Sequence, residues 1–317
     1  MITDDIIDVI TASFDFSIST LFNPKKRVYV LYLLSSFALA FYVYRKSKSH
    51  YSFLKYIFNR KIWGSTSAYI DYFFFFFNSI IKLVFIGPYL ILGLYISFYL
   101  SDYMTMYLGV FSPSLSAGHT IILYTIALTL FQDFFSYLVH LAFHKNRFLW
   151  EFHKIHHSAK VLNPITQYRI HPGELLINNT KGILVFGVIT GLFDYLSNFQ
   201  VHTFDFIGVN ILSFVFLFWG SNLRHSHVKL SYFSPIENIF ISPSQHQIHH
   251  STNPIHYNKN MGAKLALWDF IFGTLVHSKK THKITFGLGK EEDENYNSFL
   301  KNLYRPFVAY FKMFRKK

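Results

Sequence analysis

Apolar positions along this chain fall in long unbroken runs rather than in alternation with polar ones. The first run, Val28 to Tyr44, is preceded by Lys25, Lys26 and Arg27 and followed by Arg45, Lys46, Lys48, Lys55, Arg60 and Lys61. It is barely long enough to span a bilayer, which takes about 20 helical residues. A second region, Ala68 to Leu100, is interrupted by Lys82 and Pro88. Its aromatic stretch, Tyr72 to Phe77, is therefore expected at the interface, leading into a spanning helix. Thr120 to Phe143 is the third expected span, after a Ser-, Pro- and Gly-bearing loop around Ser112 to Gly118. Ile183 to Phe199 and Phe204 to Trp219 are either a further pair of spans or a hairpin that dips partway in. From Asn222 onward the chain is more polar and His-rich, and Pro235, Pro243 and Pro254 break it into short helices and loops. The pattern divides the chain into a membrane region over 1–118, a His-rich region over 119–276 and a basic C-terminal segment over 277–317.

Composition agrees with lipid as a solvent for part of the chain. Of 317 residues, 51% are hydrophobic, 20% aromatic and only 15% charged, and the mean hydropathy is +0.24. The net charge of +13 is concentrated beside the apolar runs, where orientation against anionic lipid explains it better than nucleic acid does. By the positive-inside rule, the six cations from Arg45 to Lys61 place that loop in the cytoplasm. The second span then exits and the third returns, so that Phe143 ends on the cytoplasmic side, followed at once by Lys145, Arg147, Lys154, Lys160 and Arg169. Asp4, Asp5, Asp8 and Asp15 replace the cationic start of a cleavable signal peptide, so none is expected. With no cysteine, disulfides, a thiolate nucleophile and cysteine-based metal sites are excluded, and a transition metal would have to be held by His or carboxylate.

Twelve of the 17 histidines lie between His140 and His250. His140 and His144 are four residues apart on the helix that ends the third run, the spacing at which two imidazoles grip one metal. His153, His156 and His157 form HKIHH, which at i, i+3 and i+4 is expected to place three imidazoles on one helical face. His246, His249 and His250 repeat the spacing in HQIHH. A single histidine near a membrane is ordinarily a satisfied core residue, but two HxxHH boxes beside an HxxxH pair are not. Eight imidazoles exceed what one tetrahedral zinc accepts, so two metals in a nitrogen-rich shell are expected. Neither HExxH nor paired ExxH motifs are present, which disfavours metal-assisted peptide hydrolysis and the soluble di-iron bundle. Imidazole suits iron, copper and zinc alike. Asp133, seven residues before His140, either hydrogen-bonds a ligand imidazole or caps or pairs with a basic loop residue.

From about Leu130 to Val276 the chain resembles the fatty acid hydroxylase and sterol desaturase superfamily of membrane-bound di-iron oxygenases. The resemblance rests on the three His boxes, on RIHPGE (Arg169 to Glu174), on SNLRHSHV (Ser221 to Val228) and on NKNMGAKLALWDFIFGT (Asn258 to Thr274). It implies an all-α integral membrane fold in which about four transmembrane helices carry a cytoplasmic His-rich cap with two irons. It also implies O2-dependent hydroxylation or desaturation of a sterol or fatty-acyl lipid, with electrons from a separate cytochrome b5 or ferredoxin-type donor. The eight box histidines become the implied iron ligands. A further ligand is implied between the second and third boxes, where His225 and His227 both stand; at i and i+2 they cannot share a helical face, and His225 is favoured. His171 is either a ligand or a residue hydrogen-bonded beside one, with Glu174 as its partner, or else a plain loop residue. HPGE at His171 to Glu174 lacks the second glycine of a cytochrome b5 haem motif, so no fused haem domain is expected. SNLRHSHV and SPSQHQIHH are similar to the alkylglycerol monooxygenase-like branch, which hydroxylates beside an ether oxygen. A His-rich membrane metal transporter is the alternative of another class, but it would be expected to place its histidines within the spans. Bacterial inner membrane and endoplasmic reticulum fit the resemblance equally.

Overall fold

The computed structural model describes residues 2–198, 201–280 and 284–315, and these are mainly helical. Helix α1 (Ile2–Ser19) leads through the cationic loop to α2 (Val30–Lys46). After two short helical turns, α3 (Thr66–Ile81) starts where the Ser65 hydroxyl accepts from the Ala68 N–H. It continues through a π turn at Lys82–Ile86 and a 3-10 turn at Gly87–Ile91 into α4 (Leu92–Leu108). Gly109, at φ +77°, ends α4. α5 (Ala117–Lys145) then runs to α6 (Arg147–His157), with Asn146 between them capping the Phe148 and Leu149 N–H groups. α7 (Pro172–Ser197) ends on Asn198 in a left-handed conformation.

Three helical segments among the described residues are long and apolar enough to cross a membrane: Thr66–Leu108, Ala117–Lys145 and Pro172–Ser197. Their outward faces carry exposed Phe, Leu, Ile and Tyr, such as Phe85, Leu94, Phe98, Ile126, Phe131, Leu184 and Val188. The expected first span becomes α2, whose 17 residues extend only about 26 Å at 1.5 Å per residue, short of the ~30 Å hydrocarbon core. The aromatic stretch at Tyr72 to Phe77 and the span after it are one bent helical segment. Pro88 lies just beyond the π turn that begins at Lys82, the kind of local break that proline imposes on a helix.

α4 and α7 pack at close range through small residues. A Cβ on Gly187 would lie 2.6 Å from the Ile96 Cβ, so only glycine permits this approach. Ser97 also donates to Asp194 at 2.8 Å. The expected run from Phe204 to Trp219 is not a long helix. It is a two-stranded hairpin, Asp205–Phe206 with Val209–Asn210, followed by the eight-residue α8 (Ile211–Phe218). This return segment runs alongside α5. The Phe204 N–H donates to the Thr125 hydroxyl at 2.7 Å, Thr129 donates to Asn210 at 3.3 Å, and Ser213 meets Lys264 at 2.7 Å. Irregular backbone at this depth is tolerable because protein groups satisfy it. The remaining chain folds over one end of the helices. It includes α9 (Pro243–His249), started by a Ser242–Gln245 capping box, α10 (Leu267–Ile271) and α11 (Phe299–Arg315). The C-terminal segment 277–317 thus contains a 17-residue helix packed on α3 and α6, with Phe299 against Phe74 and Tyr310 donating to the Phe148 carbonyl at 2.5 Å.

Candidate metal centre

Nine histidines converge where α5, α6, the 3-10 turn Ser221–His225 and α9 meet. They form two groups: His140, His144, His153, His157 and His249 in one, His156, His225, His246 and His250 in the other. Each group's ligand nitrogens lie within 4.8 Å of one another. Helical geometry sorts them. Every i, i+4 pair shares a group (140/144, 153/157, 246/250), while the i+3 residue of each HxxHH box, His156 or His249, turns into the other group. The three imidazoles of a box are therefore split between two groups rather than gathered on one face. In return each box ties the two groups together.

Proton accounting shows what these groups fit. Nδ1 of His140, His156 and His249 lies 2.7, 3.3 and 3.0 Å from the carbonyls of Met261, Arg169 and Lys259, and Nδ1 of His153 lies 2.9 Å from Glu174 Oε1. Carbonyl oxygens only accept, so the protons of the neutral His140, His156 and His249 rings belong on Nδ1 and their Nε2 atoms are bare lone pairs. Burial, followed by neighbouring imidazoles or an arginine, holds His153, His157, His225, His246, His249 and His250 well below the ordinary histidine range, and His156 is pushed down to about 3, so the rings are neutral. Yet the Nε2 atoms face one another: His140 to His153 at 3.1 Å, His153 to His157 at 3.2 Å, His156 to His225 at 3.2 Å, His225 to His246 at 3.1 Å and His246 to His250 at 3.2 Å. Nε2 of His144 and of His249 is buried with no hydrogen-bond partner. Bare Nε2 lone pairs such as those of His140, His156 and His249, converging on neighbouring ring nitrogens, are stabilised by a cation. Nitrogens about 2.0–2.1 Å from a shared metal lie roughly 3.0–3.4 Å apart, which matches these contacts.

The outer contacts hold the rings in place. Asp269 accepts from the N–H groups of Met261 and Gly262, both at 2.7 Å, and Asp133 accepts from those of Lys264 and Leu265 and from the Trp268 indole at 3.0 Å. Asp133 therefore touches no imidazole. It fixes the loop whose Met261 carbonyl orients His140, nearer to the capping role than to direct contact. Asn258 and Asn260 take positive φ, and a Cβ on Gly262 would meet the Leu265 carbonyl at 2.3 Å, which explains the residues of NKNMG. Glu174 partners His153 rather than His171. Arg224 approaches Nδ1 of His246 at 2.7 Å while also donating to the carbonyls of Gly262 and Ala263.

His171 and His227 join neither group. His171 is the N-cap of α7: its Nδ1 accepts from the Gly173 N–H at 3.0 Å, its Nε2 donates to the Leu303 carbonyl at 3.1 Å, and its ring stacks on Phe152. His227 faces away from His225 and packs edge-on to Tyr56. Alanine at His171 is expected to cost about 1 kcal/mol of stability with metal content unchanged, and His227→Ala should also keep its metal. Elemental analysis beside thermal unfolding checks both. Glu174→Gln should keep the shape and weaken the hold on His153, lowering metal affinity by roughly 10–100-fold in a chelator competition.

The sequence reading missed Asp71. It is fully buried on α3 and receives Arg169 Nε at 2.6 Å, Thr166 at 2.6 Å and Asn163 at 2.9 Å. Arg169 in turn reaches Ser67 and Ser158, and its carbonyl orients His156.

Residues 125–274 match the fatty acid hydroxylase family model. Among curated proteins, the chain is 31% identical to an alkylglycerol monooxygenase of Caenorhabditis elegans over 163 residues, which cover 51% of this chain and 29% of that protein. It is 29% identical to the ornithine lipid hydroxylase OlsE of Rhizobium tropici, covering 55% of this chain and 47% of the relative. It is 25% identical to the very-long-chain aldehyde decarbonylase CER1 of Arabidopsis thaliana, covering 47% and 23%. The matched region spans less than half the length of each of these relatives. No solved structure matches the chain.

Proposed function

We propose that this chain, whose residues 125–274 match the fatty acid hydroxylase family model, is a membrane-bound oxygenase that uses O2 and external electrons to hydroxylate or desaturate a C–H bond of a sterol or fatty-acyl lipid. The observation that carries the reading is the convergence of nine imidazole nitrogens in two groups, with Nε2 of His140, His156 and His249 left bare by the carbonyls at their Nδ1 atoms. His140, His144, His153, His157 and His249 would hold one iron, and His156, His225, His246 and His250 the other. Bound there, the pair supplies the oxidising power for attack on an unactivated C–H bond. The chain supplies position. The carbonyls of Met261, Arg169 and Lys259 keep protons on the outer ring nitrogens of His140, His156 and His249, Glu174 orients His153, and the buried ring cluster excludes water. A cavity of about 400 Å³ bordered by His140, His153, His156, His225 and His246 gives a substrate access to both groups.

The cationic segments Arg45–Lys61 and Lys145–Arg169 support a cytoplasmic location for the metal end, within reach of a cytochrome b5 or ferredoxin-type donor, in a bacterial inner membrane or endoplasmic reticulum. In this reading α2 is a partial membrane segment and the 201–220 return completes a fourth crossing. A second reading, oxidation beside an ether oxygen, draws on the resemblance to alkylglycerol monooxygenases; labelled ether lipid and sterol supplied to membranes separate the two. A transporter is disfavoured because the histidines form closed groups at one end of the spans instead of a path along them.

The test is metal per chain after anaerobic purification in mild detergent, with Mössbauer spectroscopy if iron is found. About two coupled irons support the oxygenase. Two zincs support the site alone, since imidazole also accepts zinc. A metal-free protein with intact boxes overturns the reading.

A further inference from the structure

The cavity beside the imidazole groups is lined by Lys25, Lys26, Arg27, Lys82 and Arg224. Among the described residues, none of these five forms an ion pair with a carboxylate. Glu174, the one acidic group on the wall, is engaged with His153. The contacts of three of these cations are weak or lie elsewhere. Lys82 Nζ sits 5.7 Å from the Tyr168 ring centre and Lys26 Nζ 5.5 Å from that of Phe16. Arg224 is committed to backbone carbonyls and His246. Arg27 is half-buried on the cavity wall, and no side-chain hydrogen bond is found for it among the described residues.

Such convergence is costly without an anion. A cation drawn into an apolar helical assembly is normally paired, and one placed within a membrane-spanning segment marks a binding pathway. Lys82 is at the start of the π turn that interrupts the Thr66–Leu108 span, a local distortion of the kind concentrated at functional sites. Arg27 lines the same cavity as His156 and His225, so an anion bound to it lies close to the imidazole groups. A second cavity, of about 720 Å³, shares Lys25 and Arg27 with the first and continues past Leu128, Phe186 and Leu217, with Asp194, Asp205 and Lys264 also on its wall. The cations at the junction and the apolar side chains beyond it match a lipid with an ionised end held at the junction.

We propose that the lipid substrate is anionic and that Arg27 and Lys82, flanked by Lys25 and Lys26, bind its phosphate or carboxylate headgroup. The oxidised carbon then lies near the headgroup rather than far along the chain. This inference rests on the lipid-oxygenase reading and names its substrate class.

The test measures equilibrium binding of a lysophosphatidic acid and of the monoacylglycerol with the same chain to the full, metal-loaded protein in detergent, with metal content read on the same samples. The anionic lipid is expected to bind the wild-type chain at least about tenfold more tightly, as charge-assisted contacts predict. The Arg27→Gln/Lys82→Gln variant should lose that preference while keeping its metal, and Arg27→Lys should keep most of it. Equal binding of the two lipids to the wild type, or an undiminished preference in a metal-loaded double variant, overturns the proposal. Inorganic phosphate that binds as tightly as the anionic lipid would assign the cavity to the free ion and overturn the lipid assignment. Oxidation of the monoacylglycerol without charge preference overturns this inference and leaves the oxygenase standing. A metal-free wild type overturns the oxygenase reading itself.

Discussion

Replacing His249 by alanine is expected to empty the five-histidine group and abolish lipid turnover while leaving membrane insertion intact. His249 sits at the i+3 position of its box, so it is the one histidine of α9 in that group; its neighbours His246 and His250 belong to the other. Its ring is within 4.6–4.8 Å, centre to centre, of those of His140, His144 and His157, and its Nε2 has no partner within the protein. Loss of the ring removes a ligand that no other side chain of α9 is placed to replace. Activity should fall by more than about 100-fold, the upper end of what disturbing even an outer contact of a ligand costs. An active His249→Ala variant with full metal content would refute the assignment. The site should also be acid-sensitive. The six rings held well below their ordinary range, and His156 with them, bind protons less readily folded than unfolded. Stability is therefore present above the unfolded histidine value of about 6.5 and is lost as pH falls through it toward the folded values. Metal release followed from pH 8 downward should begin near that point.

The second large effect is expected at Asp71, far from the metal groups in sequence. Asp71→Ala leaves the Arg169 guanidinium buried without its carboxylate and orphans Thr166 and Asn163. Removing one partner of a buried ion pair costs about 3–5 kcal/mol. Since the Arg169 carbonyl orients His156, the loss should appear both in thermal unfolding and in metal affinity. Asp71→Ala combined with Arg169→Met should recover part of the stability, because an apolar pair removes the uncompensated charge. A single Asp71→Ala variant with unchanged unfolding would contradict the account.

The contrast between these two residues shows which parts of the molecule were legible in its sequence. Histidine spacing is local and helical, so i, i+4 pairing could be read directly, and it is the pairing the structure uses. The split of each HxxHH box between two groups was implicit in the 100° separation of adjacent residues, but the expectation of a single face overlooked it. Asp71 gave no local signal, because its partners Asn163, Thr166 and Arg169 lie more than 90 residues away. The carbonyls of Lys259 and Met261 carry no side-chain signature at all; only the asparagines and glycine of NKNMG hint at the unusual backbone that presents them. His171 could have been recognised as a cap, since the Pro after it is a preferred first helical residue. Lys25 to Arg27 read as a flank that orients the first run, and the inward placement of Arg27 became visible only with the cavity. The run at Phe204 to Trp219 was apolar enough for a span, but hydropathy does not distinguish lipid contact from burial against α5.

The contacts of His140 and His249 with carbonyls 121 and 10 residues further on set an order of events during synthesis. A nascent chain that has delivered α5 and α6 to the bilayer holds five box histidines but neither group is complete, because His249 and three members of the second group are still unmade. The orienting Met261 carbonyl and its Asp269 support come later still. Under the proposed function, metal loading would thus be a late step of maturation, and ribosomal stalling before about residue 270 would leave an inserted but metal-free intermediate.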